Sequence, residues 1–171
     1  MMMLNPQTIG AAMPHGFAGS YARQPDMLVV TAPLAGDKSV PFGAAMKREG
    51  SAVLPFGADD TAAQFAGVAA RTFKAGGSVQ TQGAGEYLPG EAVALFQRGS
   101  VQVRCQMGDP VPGGAVYIRT KESESYPDAQ VGGFEAEADE GNSVTLTAAQ
   151  WGGGKDADGV AELVLLTRQN V

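Results

Sequence analysis

The chain has 171 residues, with 12 Lys and Arg against 18 Asp and Glu, a formal net charge of −6 at pH 7, one histidine and one cysteine. That length supports one domain with a real core. The acidic balance disfavours nucleic acid, which needs clustered Lys and Arg, and a lone cysteine excludes an intrachain disulfide.

Residues 1–27 form an irregular arm, set apart from a single domain over residues 28–171. Met1, Met2, Met3 and Met13 are mixed there with Pro6, Pro14 and Pro25, and neither helical nor strand periodicity is sustained. With no basic n-region the start is a poor signal peptide, so a soluble product of a reducing cytoplasm is expected. No apolar run approaches the roughly 20 residues of a membrane helix, so no membrane partner is expected. The arm is nevertheless not hydrophilic. Leu4, Ile9, Met13, Phe17 and Tyr21 are spread along it, and flexible apolar side chains of this kind adapt to a partner's surface. A frayed terminus that packs nowhere is the alternative.

Beyond the arm, 24 glycines and 10 prolines predict many short elements joined by turns, the all-β habit. "DMLVVTAPL" reads as a short buried strand near 27–32. "VPFGA" at 40–44 is echoed by "LPFGA" at 54–58, and the pair suggests a hairpin-like excursion. "DDTAAQFAGVAAR" could form a helix capped by Asp59 or Asp60, but Gly67 weakens it, and a turn into a strand at "QFAGVAART" is preferred. Further strands are expected near 92–96, 100–107, 115–119, 143–148 and 160–167. In "SVQVRCQMGD" the alternation puts Val101, Val103, Cys105 and Met107 in the core and Gln102, Arg104 and Gln106 outside it. From Lys121 to Asn142 the chain turns acidic, and Glu135, Glu137, Asp139 and Glu140 read as a solvated edge or loop. The expected fold is therefore all-β, a compact barrel or sandwich of short strands carrying an extended N-terminal arm.

Residues that could carry chemistry are sparse. His15 stands between Pro14 and Gly16 in the arm, remote in sequence from any nucleophile. Cys105 falls on the apolar face of a strand, where a thiol behaves as a small hydrophobe. One Cys and one His cannot make a zinc site, and "DADG" at 156–159 lacks the bidentate Glu of a calcium loop. The glycine-rich stretches lack the spacing of a nucleotide-binding fingerprint. No catalytic residue, metal or cofactor is expected.

Several segments in order, "VPFGAAMKREG", "QFAGVAAR", "YLPGEAVALFQRGSVQVRC", "GDPVPGGAVYIRT" and the apolar closing strand, resemble the structural cement (capsid decoration) proteins of tailed bacteriophages. The resemblance covers about residues 27–119 and the last ten. It implies a non-catalytic, β-rich virion protein on the outer surface of an icosahedral head. Such a protein binds and stabilises junctions between major capsid protein subunits as a homo-oligomer, a homotrimer in preference to a homodimer. On that reading Leu4, Ile9, Met13, Phe17 and Tyr21 become subunit or capsid contacts. The alternatives are another virion structural protein, either a head–tail connector or a major capsid element, and a small β-barrel binding module.

Overall fold

A computed structural model of the chain describes residues 14–23, 26–73 and 85–167. These residues form twelve strands and a single 3-10 turn at Ala62–Gln64, so the fold is all-β. In order the strands are β1 (Leu28–Pro33), β2 (Val40–Pro41), β3 (Ala45–Glu49), β4 (Ala52–Pro55), β5 (Phe65–Ala69) and β6 (Glu86–Tyr87). They continue as β7 (Ala92–Met107), β8 (Tyr117–Arg119), β9 (Phe134–Glu135), β10 (Ser143–Thr145), β11 (Ala149–Trp151) and β12 (Val160–Leu165).

The spine is β7, 16 residues long. Two strands were expected over this stretch, and the structure replaces them with one. Opposite β1 the register skips, with Leu28 facing Arg98 and Val29 facing Phe96, so Gln97 is the extra residue of a bulge. Gly99 follows at φ +100, where a Cβ would collide with the Asp26 carbonyl. Glycine here bends a strand and does not end it. The bulge also reverses the alternation. Val93 and Leu95 point into one core, while Val101, Val103 and Cys105 point into the other.

Each half of β7 belongs to a ring of strands. Its first half lies between β1 and β5, and the order continues through β3 to β4. The ring closes where Leu34 bridges Val53 and the Ala35 N–H donates to the Val53 carbonyl at 2.9 Å. Inside sit Leu34, Val40, Met46, Val53, Tyr87 and Leu95. The second half of β7 pairs with β12 on one side and, in parallel, with β9 on the other. β9 pairs with β8, β8 with β10, and β12 with β11. Trp151 exchanges main-chain hydrogen bonds with Gly113 and Gly114 at 2.8 and 3.0 Å, which ties β11 back to the approach of β8. This second ring encloses Val103, Ile118, Phe134, Trp151 and Leu163.

β5 separates the two cores, and all five of its residues are buried. Phe65 and Val68 belong to the second core, Ala66 and Ala69 to the first. A strand covered on both faces leaves little room on the side of the first core, where Ala66 and Ala69 are small. At Gly67 a Cβ would strike the Phe96 carbonyl oxygen. The strand reading of this stretch therefore holds, with the short 3-10 turn preceding it. The expected hairpin is also present, as β3 and β4 joined through Gly50–Ser51. The strand expected at 143–148 ends early, as β10 at Thr145, and the chain turns at buried Leu146 before β11 begins at Ala149.

Candidate interaction site

The residues most able to do chemistry are held in structural roles. The His15 N–H donates to Asp156 Oδ2 at 2.7 Å, and its Nδ1 lies 2.9 Å from the Val160 carbonyl oxygen. Asp156 also accepts from the N–H groups of Asp158 and Val160 at 3.0 and 2.8 Å. Burial works against the Asp156 charge, yet these three N–H donors hold its carboxyl below the usual range. "DADG" is thus a turn that anchors the arm. Cys105 is buried and donates to the Met107 carbonyl at 3.2 Å, and burial pushes its thiol up, away from the reactive thiolate.

Of the five arm residues singled out, Leu4, Ile9 and Met13 lie outside the described residues. Phe17 and Tyr21 are described, 56% and 39% exposed, and both touch their own subunit. The arm runs beside β7 as an added strand. The Gly19 N–H donates to the Gln102 carbonyl at 2.7 Å, Gln102 N–H to Ser20 at 2.8 Å, and Ala22 N–H to Ser100 at 3.0 Å. The Tyr21 ring lies 5.7 Å from Phe96, and Phe17 lies 4.6 Å beneath the Arg71 guanidinium. Arg23 clasps Glu162 with two bonds of 2.6 and 3.0 Å, and that contact holds the Glu162 carboxyl below its usual range. Composition suggested an arm whose apolar side chains adapt to a partner's surface, and residues 14–23 are seated on β7 of their own subunit by main-chain bonds that composition does not encode. The added strand also corrects one detail of the β7 register. Gln102, expected outside, is buried between the arm and Glu162 of β12. Val101, Val103, Cys105 and Met107 are buried and Arg104 is exposed, as the alternation requires.

A larger correction concerns the acidic stretch. Glu135, read as solvated, is fully buried in β9. Its Oε1 accepts from Arg119 Nε at 2.6 Å and from Gln106 Nε2 at 3.0 Å. The Arg119 guanidinium, itself fully buried, also donates to Asp139 at 2.9 Å and faces the Tyr126 ring at 5.8 Å. Burial disfavours the Arg119 charge, but the two carboxylates more than offset this and raise its pKa. In return Arg119 holds the Asp139 carboxyl below its usual range. Isolated charges are too costly to bury and persist only as such pairs. Glu137 and Glu140 do face solvent, together with Glu122, Glu124 and Asp128. The available signal was Arg119 itself, an arginine directly after the inward-facing Ile118 of a short strand.

The two P-F-G-A units meet in space. Pro41–Ala44 and Pro55–Ala58 line a single groove of about 650 Å³, facing Val131–Phe134 and bordered by Ala18 of the arm. The rings of Phe42, Phe56 and Phe134 are buried, so the wall itself is made of proline, glycine and alanine. Arg104 and Gln106 mark one end, where a second, polar groove of about 780 Å³ begins between Tyr126 and Lys155. Among the described residues no three His, Cys, Asp or Glu converge as metal ligands would. The molecule presents grooves, an added strand and half-exposed aromatics.

Comparison with known proteins matches this picture. A family described as "Structural cement protein (E217 gp24/Pam3 gp6)" matches residues 5–166. Among curated proteins, none matches the chain. A chain in the solved structure titled "The capsid of Myoviridae Phage XM1" superposes with a TM-score of 0.68 at 16% identity, covering 95% of this chain and 98% of that one. That likeness establishes a shared fold across essentially the whole of both chains. With the family match spanning nearly all of the sequence, the chain belongs to the structural cement protein family of tailed bacteriophages.

Proposed function

We propose that this chain binds the outer surface of an icosahedral phage head, at junctions between major capsid protein subunits, and stabilises the head without catalysis. The observation that carries the reading is the family match over residues 5–166. The internal chemistry agrees with it, because His15 and Cys105 are both committed to holding the fold. A protein that acts by occupancy needs stability, solubility and a complementary surface, and the net charge of −6 serves the second.

The chain works as a homo-oligomer, a homotrimer in preference to a homodimer. Its arm, through Leu4, Ile9, Met13, Phe17 and Tyr21, contacts neighbouring copies or the head. Each apolar side chain buried this way contributes roughly 1.5–3 kcal/mol. Repetition around a symmetric oligomer makes modest contacts effective through avidity. The test is native mass of the isolated protein followed by co-sedimentation with empty heads. Saturation at a fixed ratio to the major capsid protein, with a raised melting temperature of the heads, is the expected result. Binding limited to one vertex would assign the chain to a connector instead, and absence of binding would overturn the proposal.

A further inference from the structure

We propose that the groove lined by the two P-F-G-A units receives the Leu4–Met13 segment of a second copy, so that copies exchange arms. This rests on the reading that the arm is a contact between subunits, and it names the surface that takes it. Three observations converge. First, residues 1–22 contain no Asp, Glu, Lys or Arg, and Arg23 is the first of these in the chain. The groove wall, Pro41–Ala44 and Pro55–Ala58, is equally free of charge, and its charged residues Lys38, Arg104 and Glu122 lie among the more exposed lining. Burying an uncharged segment against an uncharged wall desolvates no ion.

Second, the shapes correspond. A wall of proline, glycine and alanine backed by buried rings admits a chain with its backbone close to the surface. Residues 9–13, Ile-Gly-Ala-Ala-Met, carry two large apolar side chains separated by three small residues. Fully extended at roughly 3.3 Å per residue, the ten residues from Leu4 to Met13 would reach about 33 Å.

Third, of the described arm only Ala18 lines the groove. Ala18 and Gly19 lie against Gly43, on the groove's border. Four residues upstream of Gly19, His15 is bonded to Asp156 and Val160 at the start of β12. Among the described residues of the arm, none upstream of Ala18 lines the groove, and in the proposed exchange that groove takes a neighbour's arm. An exchange in which every copy gives one arm and receives one closes into a cyclic oligomer.

The experiment uses the full chain. Copies carrying Ile9→Cys are mixed with copies carrying Ala58→Cys, an exposed residue on the groove lip, and oxidised. Cys105, 4% exposed, is too buried to compete. The expected product is a disulfide-linked pair of chains in the mixture and in neither protein alone. Linkage within single chains carrying both cysteines, persisting on dilution, would overturn the exchange. So would an oligomer of unchanged mass with no linkage. As a second measurement, Ala58→Arg places a charge on the lip, and Gly57→Leu adds bulk where a Cβ meets nothing nearer than Asp60 at 3.6 Å. Both should fold with unchanged circular dichroism and weaken self-association at least tenfold. If instead native mass is kept while head binding is lost, the groove belongs to the capsid and the exchange is wrong, though the cement reading survives. Linkage in the mixture without any head binding would leave the exchange standing and sink the cement reading.

Discussion

The arm at 14–23 and the acidic stretch at 121–142 both lack regular periodicity, and they are held in opposite ways. The arm carries large apolar side chains, yet it is fastened mainly by its backbone, as a strand added to β7, with Phe17 and Tyr21 left half exposed. The acidic stretch carries the charge, yet it is fastened from inside, by a buried arginine that draws Glu135 and Asp139 to itself. The apolar segment remains available at the surface, and the charged one is partly interior. Whether an irregular segment is buried depends on where its polar partners sit, not on its average polarity.

The sharpest way to break this contrast is to remove the arginine. Arg119→Met should destabilise the protein by about 3–5 kcal/mol, because it leaves the Glu135 charge buried without its partner. The double variant Arg119→Met, Glu135→Leu should recover most of that loss in urea unfolding. A cost for Arg119→Met no greater than that of an ordinary surface substitution would show that the acidic stretch is not held from within.

The arm should separate into two parts under truncation. Deleting residues 2–24 removes the main-chain bonds to Ser100, Gln102 and Arg71, each contributing about 0.5–1.5 kcal/mol net. That variant should fold but melt earlier and assemble poorly. Deleting residues 2–13 should leave the melting temperature of the subunit unchanged and impair assembly alone. If both truncations melt alike, the added strand contributes nothing to the subunit. Smaller still, Tyr21→Ala gives up the ring contact with Phe96, about 0.5–1.5 kcal/mol, readable in the same melts.

The smallest effect is a pH dependence that assigns acid sensitivity to each segment. Glu162 beneath the arm and Asp139 beside Arg119 both have carboxyls held below their ordinary values of 4.5 and 3.8. The unfolded chain then binds more protons, so the stabilisation is complete above those ordinary values and is lost as pH falls through the lower folded ones. Glu162→Gln and Asp139→Asn should each be less stable than the parent near neutrality and converge with it in acid. A stability gap that stays constant with pH would remove the carboxylates from the account.

Some local patterns were legible. The alternation through Val101, Val103, Cys105 and Met107 predicts their burial because successive side chains of a strand point to opposite faces. Gly67 weakened a helix through "QFAGVAART" and tipped the reading to a strand, and the strand formed. The signals that failed are non-local. Gln97 becomes a bulge only because Leu28 and Val29 of β1 dictate the register against it. Glu135 is buried only because Arg119, 16 residues earlier, is placed beneath it. The P-F-G-A echo was visible as two turn signals, but nothing in either unit says that they would line one groove.

The amino-acid sequence by itself determined the class of this protein. Its glycines and prolines and its two-residue alternation make a short-stranded, all-β fold, because turn geometry and strand faces depend on neighbours a few positions apart. The order of its segments was enough to suggest the cement family. The tertiary structure alone decided that one long strand serves two rings, that an arginine and a glutamate can be buried together, and that residues 14–23 lie on their own subunit. Each of these depends on contacts between residues far apart in the chain, where the cost of burying a charge or leaving a main-chain group unpaired is met by a partner that no local pattern specifies.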